Sequence, residues 1–122
     1  MSEGEDKRVH PRLSLDGSYT ARFELEGVVF RGVPLTNISV GGIGISMDVM
    51  EATDISLGIV LRNVVLEQHP FAPTRVSAQV RHILGRHAGR VSGNLFLGLQ
   101  FVDPPNNLVL QIEEFIEKRI GE

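Results

Sequence analysis

Tyr19-Thr20-Ala21-Arg22-Phe23-Glu24-Leu25-Glu26 alternates apolar and polar side chains without a break. A period of two puts Tyr19, Ala21, Phe23 and Leu25 on one face and their polar neighbours on the other, the pattern of a strand lying on a core. Glu26-Gly27 follows as a hairpin point, and Val28 to Val33 reads as the returning strand. Leu35 to Ile38 continues it past Pro34, which marks a bulge or an edge position. Gly41-Gly42 turns the chain into a strand over Ile43 to Met47. Ile55 to Leu66 and Thr74 to Leu84 read as a long hairpin around the loop Gln68 to Pro73. After a polar, glycine-containing connection, Asn94 to Val102 is the last strand.

The periodicity then changes. Leu108, Ile112, Phe115, Ile116 and Ile120 fall at helical spacing, with Gln111, Glu113, Glu114, Glu117 and Lys118 on the opposite face. Asp103 ahead of Pro104-Pro105, or Asn106 directly, is placed to cap that helix. About six short strands and one amphipathic helix predict a mainly β fold, a small closed or nearly closed β-barrel with a helical plug or flank. The 13 glycines among 122 residues exceed the average usage of roughly 7% and agree with a turn-rich, β-rich chain. Residues 1–18 read as a polar, flexible N-terminal arm, and residues 19–122 as a single barrel domain with its helix.

Composition narrows the function. The formal net charge is −3, so the chain lacks the basic surplus with which proteins track long nucleic acids. Positive charge is local instead, at Lys7, Arg8 and Arg12 beside Glu3, Glu5 and Asp6. The absence of cysteine removes disulfides and thiolate metal sites and is compatible with the cytosol. Met1 to His10 contains no apolar run, so no secretory signal is expected, and no stretch approaches the length that spans a bilayer.

Two motifs carry chemistry. In Arg8-Val9-His10-Pro11-Arg12, the proline keeps both arginines off a helix and on extended or turning backbone. Guanidinium groups can pair with phosphate, meet the O6 and N7 edge of guanine, or lie flat on a base. In Asn37-Ile38-Ser39-Val40-Gly41-Gly42, the amide suits a base edge and the hydroxyl a base or phosphate. The glycines allow close backbone approach and positive φ, so that their amides could nest an anion. Taken singly, each motif is also ordinary surface charge or turn chemistry. Together they suit an anion with flat, hydrogen-bonding faces, such as a nucleotide.

Arg8-x-x-x-Arg12 followed by Asn37-x-Ser39-x-x-Gly42 resembles the two-part signature of PilZ domains, bacterial receptors for cyclic di-GMP. The resemblance extends through Gly44-Ile45 and Leu97-Gly98-Leu99-Gln100-Phe101 to the terminal helix, and implies a six-stranded antiparallel β-barrel with a C-terminal amphipathic α-helix. It implies a cytoplasmic receptor in which Arg8 and Arg12 grip the guanines and phosphates. Asn37, Ser39 and Gly42 would line the other side of the ligand. The nucleotide would be a ligand rather than a cofactor. The arm, loose when empty and ordered over the ligand when bound, would then pass the signal to an effector protein.

Other functions fit less well. A nucleophile elbow needs glycine where Asn37 stands, and Met47 replaces the third glycine of a dinucleotide fingerprint, so no enzyme is expected. His10, His69, His82 and His87 lack metal-ligand spacing, and no metal is expected. Binding of single-stranded nucleic acid needs aromatics on one strand face. Here Phe23, Phe30, Phe96, Phe101 and Phe115 sit in apolar patterns that predict core positions, while Phe71 lies in a loop. The alternative that survives is a protein-interaction module that does not depend on a nucleotide.

Overall fold

A computed structural model describes residues 11–71 and 73–120 of the chain. Its strands are β1 (Leu13–Ser14), β2 (Thr20–Leu25), β3 (Val28–Ser39), β4 (Gly42–Asp48), β5 (Val60–Leu66), β6 (Val76–Leu84) and β7 (Asn94–Val102), followed by helix α1 (Asn106–Ile120). They hydrogen-bond in the order β1-β3-β2-β5-β6-β7-β4, and β4 returns to pair with β3. The fold is therefore mainly β, a closed six-stranded antiparallel barrel with β1 as an extra strand and α1 at the C-terminal end. Among the described residues, closure gives each of β2 to β7 a partner strand on both sides.

The alternation that opened the sequence reading is realised in β2, where Ala21, Phe23 and Leu25 are buried. Glu26 and Gly27 both take positive φ, 50° and 82°, and join Leu25 to Val28 in a two-residue hairpin. Pro34 lies inside β3 where its pairing passes from β2 (Thr20↔Pro34) to β4 (Leu35↔Ile45). A residue without an N–H is tolerated at such a changeover.

Several expectations are corrected. The strand read from Ile55 begins at Val60, because Ile55 closes a turn onto the Ala52 carbonyl and Gly58 reverses the chain at φ 87°. Part of the stretch read as the arm pairs with the barrel: Leu13 faces Ile38, and Ser14 faces Asn37. The helix is capped by neither Asp103 nor Asn106, since the Val109 N–H bonds to the Pro105 carbonyl and makes Pro105 the cap residue. Its apolar stripe buries Leu108, Ile112, Phe115 and Ile116 but leaves Ile120 62% exposed.

The aromatic assignments partly exchange. Phe71, placed in a loop from the sequence, is 1% exposed and packs edge-on against Phe115 with ring centroids 5.1 Å apart. Tyr19 adds a second edge contact to Phe115 at 5.1 Å, and Arg119 donates to the Tyr19 hydroxyl at 2.7 Å. This cluster fastens α1 to the barrel. Phe96, read as core, is 48% exposed on the outer face of β7.

Candidate functional site

Asn37, Gly44, Gly98 and His82 face one another in sequence across β3, β4, β7 and β6. Their neighbours along the strands, Ile43, Ile45, Leu97 and Leu99, are buried in the core, so this rung lies on the outer wall. Its middle carries no side chains. A methyl group on Gly44 would come 2.5 Å from Asn37 Nδ2 and 2.6 Å from Thr36 Oγ1, and one on Gly98 would meet the His82 ring at 3.1 Å. The two glycines thus form a low floor over which the flanking side chains lean.

Each end of the rung is marked by a register slip. Pairing of β3 with β4 shifts between Leu35 and Asn37, and pairing of β6 with β7 shifts between Val80 and His82. The extra residue in each slip directs two consecutive side chains outward, Thr36-Asn37 at one end and Arg81-His82 at the other. Between them lies a groove of about 660 Å³ whose rim also carries Arg12, Ser39 and Phe96. Arg12, Arg81 and His82 line it and no Asp or Glu does, among the described residues, although the chain as a whole carries −3. A concave surface with one sign of charge concentrates ligands of the other.

Arg12 is aimed by the strand that follows it. The β1–β3 pairs and the bond from the Leu15 N–H to the Thr36 carbonyl, 2.9 Å, fix the backbone beside Asn37. Arg12 itself is exposed, and its Nη1 donates to Asn37 Oδ1 at 2.7 Å. Among the described residues that is the side-chain bond Arg12 makes, and a guanidinium has further donors and a flat face with which to meet a ligand. Arg8, the other arginine of the motif, lies outside the described residues.

The remaining motif residues are brought to the same groove in different roles. Ser39 is 5% exposed; its hydroxyl accepts the Gly41 N–H at 3.2 Å and donates to the Gly42 carbonyl at 3.4 Å. It holds the β3–β4 turn while lining the groove wall. Gly42 is required by contact rather than by φ, since a Cβ there would collide with the Leu99 carbonyl oxygen across the β4–β7 pair. Neither Gly41 nor Gly42 takes positive φ, so the nest expected from the sequence does not form in that way.

Thr36, Arg81, His82, Phe96 and Gln100 line the same groove and belong to neither motif. Arg81 Nη1 donates to Gln100 Oε1 at 2.8 Å, which holds its guanidinium along the groove. The sequence did hold a signal. Val76, Ala78 and Val80 alternate, then Ile83 comes three residues on, and Arg81-His82 fills the broken beat. Among the described residues, no three His, Asp or Glu side chains converge as a metal site, and no helix is long and apolar enough to cross a membrane.

The family model described as PilZ domain matches residues 6–118. The chain belongs to the PilZ family. Solved structures share the fold. The PilZ domain of YcgR from Escherichia coli, solved with c-di-GMP, aligns with a TM-score of 0.72 at 17% identity, over 93% of this chain and 91% of that one. The complex of K. pneumonia MrkH with c-di-GMP aligns at 0.75 and 18% identity, over 94% of this chain and 53% of MrkH. The Bacillus subtilis inhibitor of motility MotI/DgrA aligns at 0.71 and 17% identity, over 96% and 53%. This PilZ chain thus spans about half the length of MrkH and MotI/DgrA. No curated protein matches it at the level of sequence.

Proposed function

We propose that this PilZ domain is a receptor for cyclic di-GMP and has no catalytic activity of its own. The observation that carries the reading is the Arg12–Asn37 pair, 2.7 Å apart on a groove that no carboxylate lines among the described residues. It joins the two motifs, which lie 25 residues apart in the sequence, in a single binding edge. Such an edge offers charge to a phosphate and a guanidinium plane to a base. YcgR and MrkH, whose structures hold c-di-GMP, belong to the same fold and supply the ligand class.

In this reading Arg8 and Arg12 grip the ligand from the arm, while Asn37, Ser39 and Gly42 form the wall it docks against. The arm closes over the bound nucleotide and presents a changed surface to an effector protein, so that binding energy is converted into a population shift. Amide hydrogen exchange of residues 5–18 tests the relay, with added protection of the stretch ahead of β1 expected when ligand is present. Equal exchange with and without ligand would remove the arm from the mechanism.

Calorimetric titration with cyclic di-GMP, alongside GTP and cyclic di-AMP, tests the ligand. Saturable binding confined to cyclic di-GMP is expected. A folded protein that binds none of the three would leave a nucleotide-independent interaction module as the reading.

A further inference from the structure

The two motifs account for one end of the groove only. The far end is built as deliberately: the β6 slip delivers Arg81 and His82 together, Gln100 fixes the Arg81 guanidinium at 2.8 Å, and Gly98 makes room for the His82 ring. Two residue pairs further along, Phe96 faces Leu84, and its ring, 48% exposed, lines the same groove. Guanidinium, imidazole and phenyl planes are the groups on which bases stack. The first two can also donate to the O6 and N7 edge of a purine.

Building on the receptor reading above, we infer that Arg81, His82 and Phe96 form a second recognition wall, one that takes the part of the ligand Arg12 and Asn37 cannot reach. Asn37 and His82 are separated by three strand spacings, about 14 Å along the sheet. A ligand with a single base engages one end of that span. A ligand carrying two bases on one phosphate ring lies along the glycine floor and engages both ends. The wall therefore selects for a dinucleotide over a mononucleotide and adds a third guanidinium to the two that the motif supplies.

The test is calorimetry with cyclic di-GMP on the full chain and on Arg81→Ala, His82→Ala, Phe96→Ser and Arg12→Ala, with Arg62→Ala as a control. Arg62 is exposed on β5, away from the groove, and its removal makes the same charge change as Arg81→Ala. All the wall residues are exposed, so thermal melts are expected to match wild type and to separate binding from folding. His82→Ala and Phe96→Ser are each expected to raise Kd about tenfold, the scale of one lost stacking contact, and Arg62→Ala to stay within about twofold. The inference is overturned if the three wall variants bind like wild type while Arg12→Ala fails. Absence of binding by the wild-type chain would instead overturn the receptor reading, and the wall with it.

Discussion

Arg12 reaches Asn37 with a hydrogen bond of 2.7 Å, and in doing so joins the polar stretch before β1 to the outer wall of the barrel. The bond is exposed and charge-assisted, the kind that contributes modestly to stability and strongly to orientation. Arg12→Ala is therefore expected to leave the unfolding midpoint within about 0.5 kcal/mol of wild type while reducing cyclic di-GMP binding at least a hundredfold. Chemical denaturation and calorimetry on the same preparation check both halves. A variant that binds normally would dissociate this arginine from the site.

Gly44→Ala probes the floor without touching a charge. Its methyl would press on Asn37 Nδ2 and Thr36 Oγ1, the ends of side chains able to rotate away. The expected cost in stability is about 1 kcal/mol, with a drop of tenfold or more in affinity as Asn37 leaves its contact with Arg12. Stability loss with unchanged affinity would show that Asn37 is not needed where it stands.

Gly42→Ala should behave in the opposite sense. Here the obstruction is the Leu99 carbonyl, backbone in the neighbouring strand, which cannot rotate aside. A loss of roughly 3 kcal/mol is expected from forcing β4 and β7 apart, and denaturant titration measures it. A neutral effect would mean that the barrel seam is looser than this contact implies.

Phe71 and Phe96 make a matched pair of truncations. Phe71→Ala empties a site that is 1% exposed between Tyr19 and Phe115, and about 3–5 kcal/mol of stability should go with it. Phe96→Ala removes a ring that is half in solvent and should cost less than about 1 kcal/mol. Equal losses would contradict the placement of one ring or the other.

Arg119→Ala tests how α1 is fastened. The guanidinium lies 4.5 Å from the Phe115 ring centroid and donates to the Tyr19 hydroxyl at 2.7 Å. Losing both should cost about 1–2 kcal/mol and expose the end of α1 to exchange before the strands. Exchange that remains uniform across helix and barrel would count against this fastening.

Much of the architecture is legible in side-chain periodicity. The alternation at Ala21, Phe23 and Leu25 and the helical spacing of Leu108, Ile112, Phe115 and Ile116 carry through to burial. What periodicity does not carry is long-range context. Phe71 follows a proline in a polar loop, and it joins the core by packing against the distant Tyr19 and Phe115. Phe96 sits in an apolar run, yet its place in β7 is the outward beat between the buried Leu95 and Leu97. The motif residues Asn37, Ser39 and Gly42 are legible because they cluster in the sequence. For Arg81 and His82 the broken alternation marks only that they point outward; that they share a groove with Asn37 follows from β7, which pairs with β4 on one side and β6 on the other.

The glycine rung has a consequence for how such a domain can change. The groove proposed to take the ligand is written on the outside of a wall whose inside is packed by other residues, and the two sets alternate along the same strands. Exposed letters such as Arg12, Arg81, His82 and Phe96 can be exchanged without disturbing the buried ones. What the groove recognises and how the chain folds are thereby inherited separately: a descendant could change every exposed groove residue and still fold into the same barrel.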